Sequence, residues 1–230
     1  MSLRRIEDQA ILIKLCLRSH IFIQLGSGLF CWHNWNLASS IKKLGGSAQL
    51  TTSAIQEPMR GRAMDFQFDE KKLKFVQRVL NNRVLFKIAL LFQVPINFMI
   101  GMRLRELNEE SCKVSVPYRW LNKNPFKSTF WAVLGMAAEM STGALAMMYT
   151  YKLDPSVSII VGDCSGEFVA KARDLTTFVC NDGKRIAETV KKAIKTGEPQ
   201  EVLCRTVGYS KAGEEVARFT FTWKMKMREA

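Results

Sequence analysis

Between Asn124 and Tyr151 the chain carries only two charged residues, Lys127 and Glu139, in a stretch otherwise apolar or small. Glu139 stands in its middle. A carboxylate in apolar surroundings keeps its proton to higher pH, which improves its match to general-base work near neutrality. Both histidines, His20 and His33, lie in the first 63 residues, so a carboxylate is the most plausible base in the remainder. The six cysteines (Cys16, Cys31, Cys112, Cys164, Cys180, Cys204) include no CxxC pair, so a Cys/His zinc site in the main body is not expected. Such scattered thiols suit a reducing cytosol. Lys171, Arg173, Lys184 and Arg185 could meet phosphate groups, though a solvated surface is the plainer reading of them.

These residues need elements to hold them. Asn124 is a favoured helix cap and Pro125 suits the first helical position, so one long helix is predicted over 125–150. Its two stripes, Phe126, Phe130, Val133, Ala137, Met140, Ala144, Met147 and Trp131, Leu134, Ala138, Leu145, Met148, leave it apolar nearly all round, which predicts burial. Before it come a helix capped by Asp69, a break at Asn81-Asn82, a second short helix over Val84–Phe92, and a loop or strand entry over Ile96–Gly101. A hairpin follows, with strands at Met102–Leu107 and Cys112–Tyr118. After it come a strand at Val157–Val161, a bend or bulge at Gly162–Gly166, and a continuation through Phe168, Ala170 and Ala172. Thr176–Cys180 is a further strand. A helix capped at Asn181-Asp182 closes at Gly197. The last hairpin pairs Val202–Tyr209 with Glu215–Met227, where Ala217, Phe219, Phe221, Trp223, Met225 and Met227 alternate with polar residues. One very apolar helix among mostly antiparallel strands implies an α+β fold, a curved sheet wrapped around one long buried helix.

The net charge of +13 favours anionic partners: nucleic acid, acidic membrane or a phosphorylated ligand. Residues 1–63 differ from the rest. Lys14, Arg18 and His20 interrupt the apolar run Ala10–Trp32, so it does not reach the ~20 residues of a membrane span. Glu7 and Asp8 spoil a signal-peptide pattern. This segment reads either as a poorly patterned leader, disordered or touching a membrane, or as sequence upstream of a true start at Met64. The folded domain is expected over 64–230.

Around the central helix the sequence resembles the hotdog superfamily, in particular its thioesterase branch with a domain of unknown function. In the phenylacetate-pathway acyl-CoA thioesterases the segment entering that helix reads N-x-x-G-x-x-H-G-G, with an Asp or Glu eight residues after the first Gly of the pair. Here it reads Asn124-Pro125-Phe126-Lys127-Ser128-Thr129-Phe130-Trp131-Ala132, with Glu139 at that distance. Asn124 and Glu139 match. Phe130-Trp131-Ala132 replaces His-Gly-Gly.

The resemblance implies that the Trp131 N–H polarises a thioester carbonyl, that Glu139 activates water, and that Ser158 falls near a family Ser or Thr that positions it. It implies a site between subunits of a homodimer or dimer of dimers, with coenzyme A entering as part of the acyl-CoA substrate and no separate cofactor. Lys171 and Arg173 are the coenzyme A candidates. The expected activity is hydrolysis of a fatty or aromatic acyl-CoA in the cytoplasm, without stable membrane insertion. The alternative is a non-catalytic acyl-CoA- or lipid-binding hotdog protein, for which the bulk of Trp131 argues. A nucleic-acid module is the other rival. It has no recognisable motif, and the strand aromatics face the core.

Overall fold

The computed structural model describes residues 66–228; the expectations for residues 1–63 lie outside them. The order is α1 (Glu70–Asn81), α2 (Arg83–Gln93), α3 (Pro95–Met99), β1 (Arg103–Leu107), β2 (Cys112–Val116), a 3₁₀ turn (Trp120–Asn122), α4 (Trp131–Thr150), β3 (Val157–Phe168), β4 (Thr176–Cys180), α5 (Gly183–Thr196), β5 (Gln200–Tyr209) and β6 (Glu215–Met227). Capping explains the early helices. The Asp69 carboxylate accepts from Lys71 N at 2.8 Å, and Asn82 Oδ1 accepts from Val84 N and Leu85 N at 3.0 and 3.2 Å. The predicted loop at Ile96–Gly101 is largely the short helix α3, because Pro95 suits a helical first position.

The six strands form one sheet in the order β1-β2-β4-β5-β6-β3, and every pairing is antiparallel. On the inner face of β6, Ala217, Phe219, Phe221, Trp223 and Met225 are buried, as their alternation predicts. β3 and β6 shift register between Val161 and Asp163, so the bulge falls at Gly162 and the strand continues to Phe168. The predicted continuation through Ala172 is instead a loop, with Val169 N and Ala170 N both donating to Val216 O.

α4 contacts all six strands, with α1 and α5 beside it. Ala137, Ala138, Leu145 and Ala146 are fully enclosed, and this helix lies at the centre of the hydrophobic core. It is the one helix among the described residues long and apolar enough to span a membrane, a composition that the enclosing sheet accounts for. α4 begins at Trp131, six residues later than predicted. Phe126, Phe130 and Trp131, expected in its buried stripes, are therefore exposed, as is Met147. α5 closes on Gly197, whose φ of 71° suits glycine. Its cap Asp182 makes no side-chain cap hydrogen bond; the carboxylate accepts instead from Arg205 N and Arg185.

Burial pushes the Cys112, Cys180 and Cys204 thiols far up, Cys180 to about 12, so these are unreactive core residues. α4 and β6 are also joined by a polar contact. Trp223 Nε1 donates to Thr142 Oγ1 at 3.0 Å, and Thr142 Oγ1 donates to Glu139 O. Thr142→Val keeps the volume and removes the acceptor, leaving a buried indole N–H unpaired. It should destabilise the fold by about 1–3 kcal/mol, read as a lowered denaturation midpoint in urea.

Candidate functional site at the start of the central helix

Asn124 shapes the entry to α4 without belonging to it. Its Oδ1 accepts from Phe126 N at 3.0 Å and from Ser128 N at 3.2 Å, and its Nδ2 donates to Ser128 Oγ at 3.1 Å. The result is a tight polar turn closed by Asn124 N donating to Ser128 O. This is why the helix starts late: the side chain that fits the cap pattern satisfies a local turn instead. Lys127 sits in the turn with φ 59°, at the first glycine of the N-x-x-G-x-x-H-G-G pattern. This is a left-handed backbone that favours glycine, adopted here by a lysine. Thr129 N then donates to Ala172 O at 2.7 Å, anchoring the turn to the β3–β4 loop, and Phe130 N donates to Asn122 O.

This leaves the start of α4 open. Phe130 provides no side-chain cap, and the N–H groups of Trp131 and Ala132 have no acceptor among the described residues. Free amides at the first turn of a twenty-residue helix carry positive potential and can receive a developing oxyanion. They border a cleft of about 430 Å³ lined by Asn124, Ser128, Trp131, Phe168 and Lys171, among others. The Trp131 ring, 60% exposed, packs edge-on against Phe130 as one wall.

Three of the expected residues, Asn124, Trp131 and Lys171, thus meet at this cleft. Arg173 is exposed one residue beyond the lining residue Ala172. Glu139 and Ser158 do not join them. Glu139 is eight residues beyond Trp131, about 12 Å along the helix axis. A Cβ on Gly135 would meet the Phe219 ring at 3.7 Å, and one on Gly143 would meet Trp223 at 3.2 Å. Glu139, midway between these glycines, therefore stands level with Phe221, whose partner on β3 is Cys164. Contrary to expectation, its side chain is exposed; its carboxylate makes no hydrogen bond or ion pair among the described residues. The apolar protein around it still holds the carboxyl above the usual range. Ser158 is at the opposite end of β3 from Phe168, about 30 Å away along the strand, and donates to Lys226 O.

Sequence reasoning missed Ser128 and Phe168, and it placed Lys171 on a strand rather than in the β3–β4 loop. Their membership rests on the Thr129–Ala172 contact between segments 43 residues apart, for which no local pattern exists.

A family profile described as "Domain of unknown function (DUF4442)" matches residues 82–225. The chain belongs to this family. No curated protein matches it significantly in sequence. Among solved structures it is similar to the protein of unknown function PA5026 from Pseudomonas aeruginosa, whose description reads "Probable Thioesterase". That match has TM-score 0.55 and 18% identity, covering 65% of this chain and 99% of the other. It is also similar to OLEI01261 from Chlorobaculum tepidum, a protein of unknown function (TM-score 0.55, 13% identity, covering 69% and 96%). A thioesterase candidate from Shewanella oneidensis gives TM-score 0.50 at 11% identity, covering 70% and all of that chain. These likenesses, with the sheet order and the central helix, show that this DUF4442 protein has the hotdog fold.

The cleft makes a clear demand on Asn124. Asn124→Ala removes the acceptor for two amides and should lower stability by about 1 kcal/mol, whereas Asn124→Asp keeps the acceptor and should lose less. Thermal unfolding of the pair checks this. Equal losses would mean that the Oδ1 contacts do not hold the turn.

Proposed function

We propose that this DUF4442 protein hydrolyses an acyl-CoA thioester, with a fatty or aromatic acyl group, using water activated by a carboxylate. The observation that carries the reading is the pair of free amides at the start of α4, beside a cleft large enough for a small acyl chain. In the reaction they would polarise the thioester carbonyl. A water losing its proton to Glu139 adds to the carbonyl carbon, the C–S bond breaks, and the coenzyme A sulfur leaves and takes up a proton. The products are a carboxylic acid and free coenzyme A. Asn124 acts by positioning the turn that presents the amides. Lys171 and Arg173 would meet coenzyme A phosphates.

Within one protomer Glu139 is too far from the Trp131 amide for both to engage one carbonyl and one water. The reading therefore requires a second copy. β3 is an edge strand of twelve residues, exposed along most of its length, and such edges invite pairing. Two β3 strands pairing antiparallel about a twofold axis near Gly166 would set the partner's Cys164 opposite Phe168, and so bring the partner's Glu139, level with that Cys164, towards the cleft. Glu139 stands on the flank that faces this edge. The homodimer, or a dimer of such dimers, would thus supply amides from one copy and the carboxylate from the other, with Ser158 outside the shared site. Light scattering should return at least twice the monomer mass; a stable monomer at micromolar concentration would exclude the shared site. Cytoplasmic placement belongs to the same proposal, since acyl-CoA and reduced cysteines are compatible there.

A second reading, binding without turnover, is favoured by one observation: the Trp131 ring forms a wall of the cleft where the related thioesterases have glycine. Glu139→Gln separates the two. If Glu139 is the base, turnover of a medium-chain acyl-CoA should fall by roughly 10²–10⁴. Wild-type turnover should rise with pH through a midpoint above the ordinary carboxylate range, because the base must be ionised and its carboxyl is held up. A raised carboxyl means that the folded state disfavours the charge. The ionised group therefore detracts from stability at pH values above its folded pKa and has no such effect below its unfolded pKa. Glu139→Gln should leave the melting temperature at neutral pH unchanged or slightly higher. Retained turnover with lowered stability would make Glu139 a structural acid. A wild type that binds acyl-CoA of several lengths and cleaves none would establish the binding-only reading.

A further inference from the structure

A different face of the molecule combines exposed apolar side chains with cations. On α2, α3 and the 3₁₀ turn, Leu91, Ile96, Phe98, Met99, Trp120 and Leu121 are all exposed, Trp120 to 79%. They form one surface: Arg119 on the turn donates to Met99 O at the end of α3, and Asn122 Nδ2 donates to Ile100 O at 2.8 Å. Large exposed apolar groups gathered in this way mark an interaction site.

The charge around them has one sign. From Lys71 to Arg105 the sequence has eight Lys/Arg and no Asp/Glu, and from Ser111 to Ala138 it has four and none. Arg83, Lys87 and Arg103 make no ion pair among the described residues. With Phe86 and Leu104 they line a cleft of about 260 Å³ between α2 and the edge strand β1. Its floor is apolar and its rim cationic. Arg83, Lys87 and Leu91 follow one another at helical spacing, so this rim runs directly into the apolar surface.

We propose that this face docks on an anionic lipid bilayer, with Ile96, Phe98, Met99 and Trp120 entering the acyl boundary and the Arg83–Lys87–Arg103 cleft receiving a lipid phosphate. Apolar tips flanked by Lys and Arg are the composition of an interfacial anchor. The charge also decides against other occupants. A second copy meeting this face through the same face would oppose cation to cation. Residues 1–63, with eight Lys/Arg against three Asp/Glu, are basic as well. The proposal goes beyond thioester hydrolysis and does not depend on it.

The test is co-sedimentation of the full chain with vesicles of phosphatidylcholine alone or with roughly one-third phosphatidylserine. The chain should pellet with the anionic vesicles, weakly with the neutral ones, and less as salt rises. Arg83→Glu with Lys87→Glu, and separately Ile96→Glu with Phe98→Glu, should each weaken binding about tenfold or more. The charge-matched control on α5, Lys192→Glu with Lys195→Glu, should stay within about twofold of wild type. If the apolar pair fails to fold, the exposed Arg83/Lys87 pair still decides. Failure to bind anionic vesicles overturns the proposal. So does equal loss in the control, which would reduce the effect to net charge, or a variant that changes the mass of the assembly instead, which would make this face a contact between copies.

Discussion

A single sheet of six strands has one inner face, and that face must be covered by apolar surface. In this protein the covering depends on α4, which touches every strand. Its small residues allow this. Ala137, Ala138, Ala144 and Ala146 are enclosed, and Gly135 and Gly143 let the Phe219 and Trp223 rings come close. The burial of α4 stabilises the sheet, and the sheet in turn makes an almost uncharged helix tolerable in water. A more polar helix would leave strand side chains hydrated; a bulkier one would force the curvature open.

The same constraint creates the candidate site. A helix committed to the core begins where the chain turns in from the surface, and its first amides have no neighbour in the sheet to accept from them. The Asn124 turn and the Thr129–Ala172 bond hold that entry in place while leaving the Trp131 and Ala132 amides free. The covering is also incomplete at β3, whose inner face runs beyond the helix at Cys164 and Gly166. Gly166 is required there, since a Cβ would collide with the Phe219 ring at 2.5 Å. Open amides and an open edge thus arise from one cause, a single helix beneath a long sheet.

Much of this was legible in the sequence. The alternation of Phe219, Phe221 and Trp223 defines both the strand and its inner face, and Thr176–Cys180 is observed with the bounds predicted. The breaks at Asn82 and Gly197 follow from capping and from a left-handed backbone. The start of α4 was not legible, because Asn124-Pro125 satisfies the rules for a helix start while the oxygen of Asn124 serves a turn. Which outcome wins depends on Ala172, a distant partner. The exposure of Phe126, Phe130 and Trp131 follows from that late start. Glu139 is readable as a lone carboxylate, but its place on the open flank requires the register of β6. No pattern in the chain could show that Ser158 and Phe168 occupy opposite ends of one strand.

Asn122 has a mechanical consequence. It is fully buried; its side-chain amide holds Ile100 O and Pro117 O, while its own carbonyl accepts from Phe130 N, the residue before α4. One rigid residue therefore acts as a strut between the end of α3 and the first turn of the central helix. A force that tilts α3 has no soft loop in which to dissipate before it reaches the Trp131 amide. Loads on that outer helix would be felt as a change in the aim of the open amides.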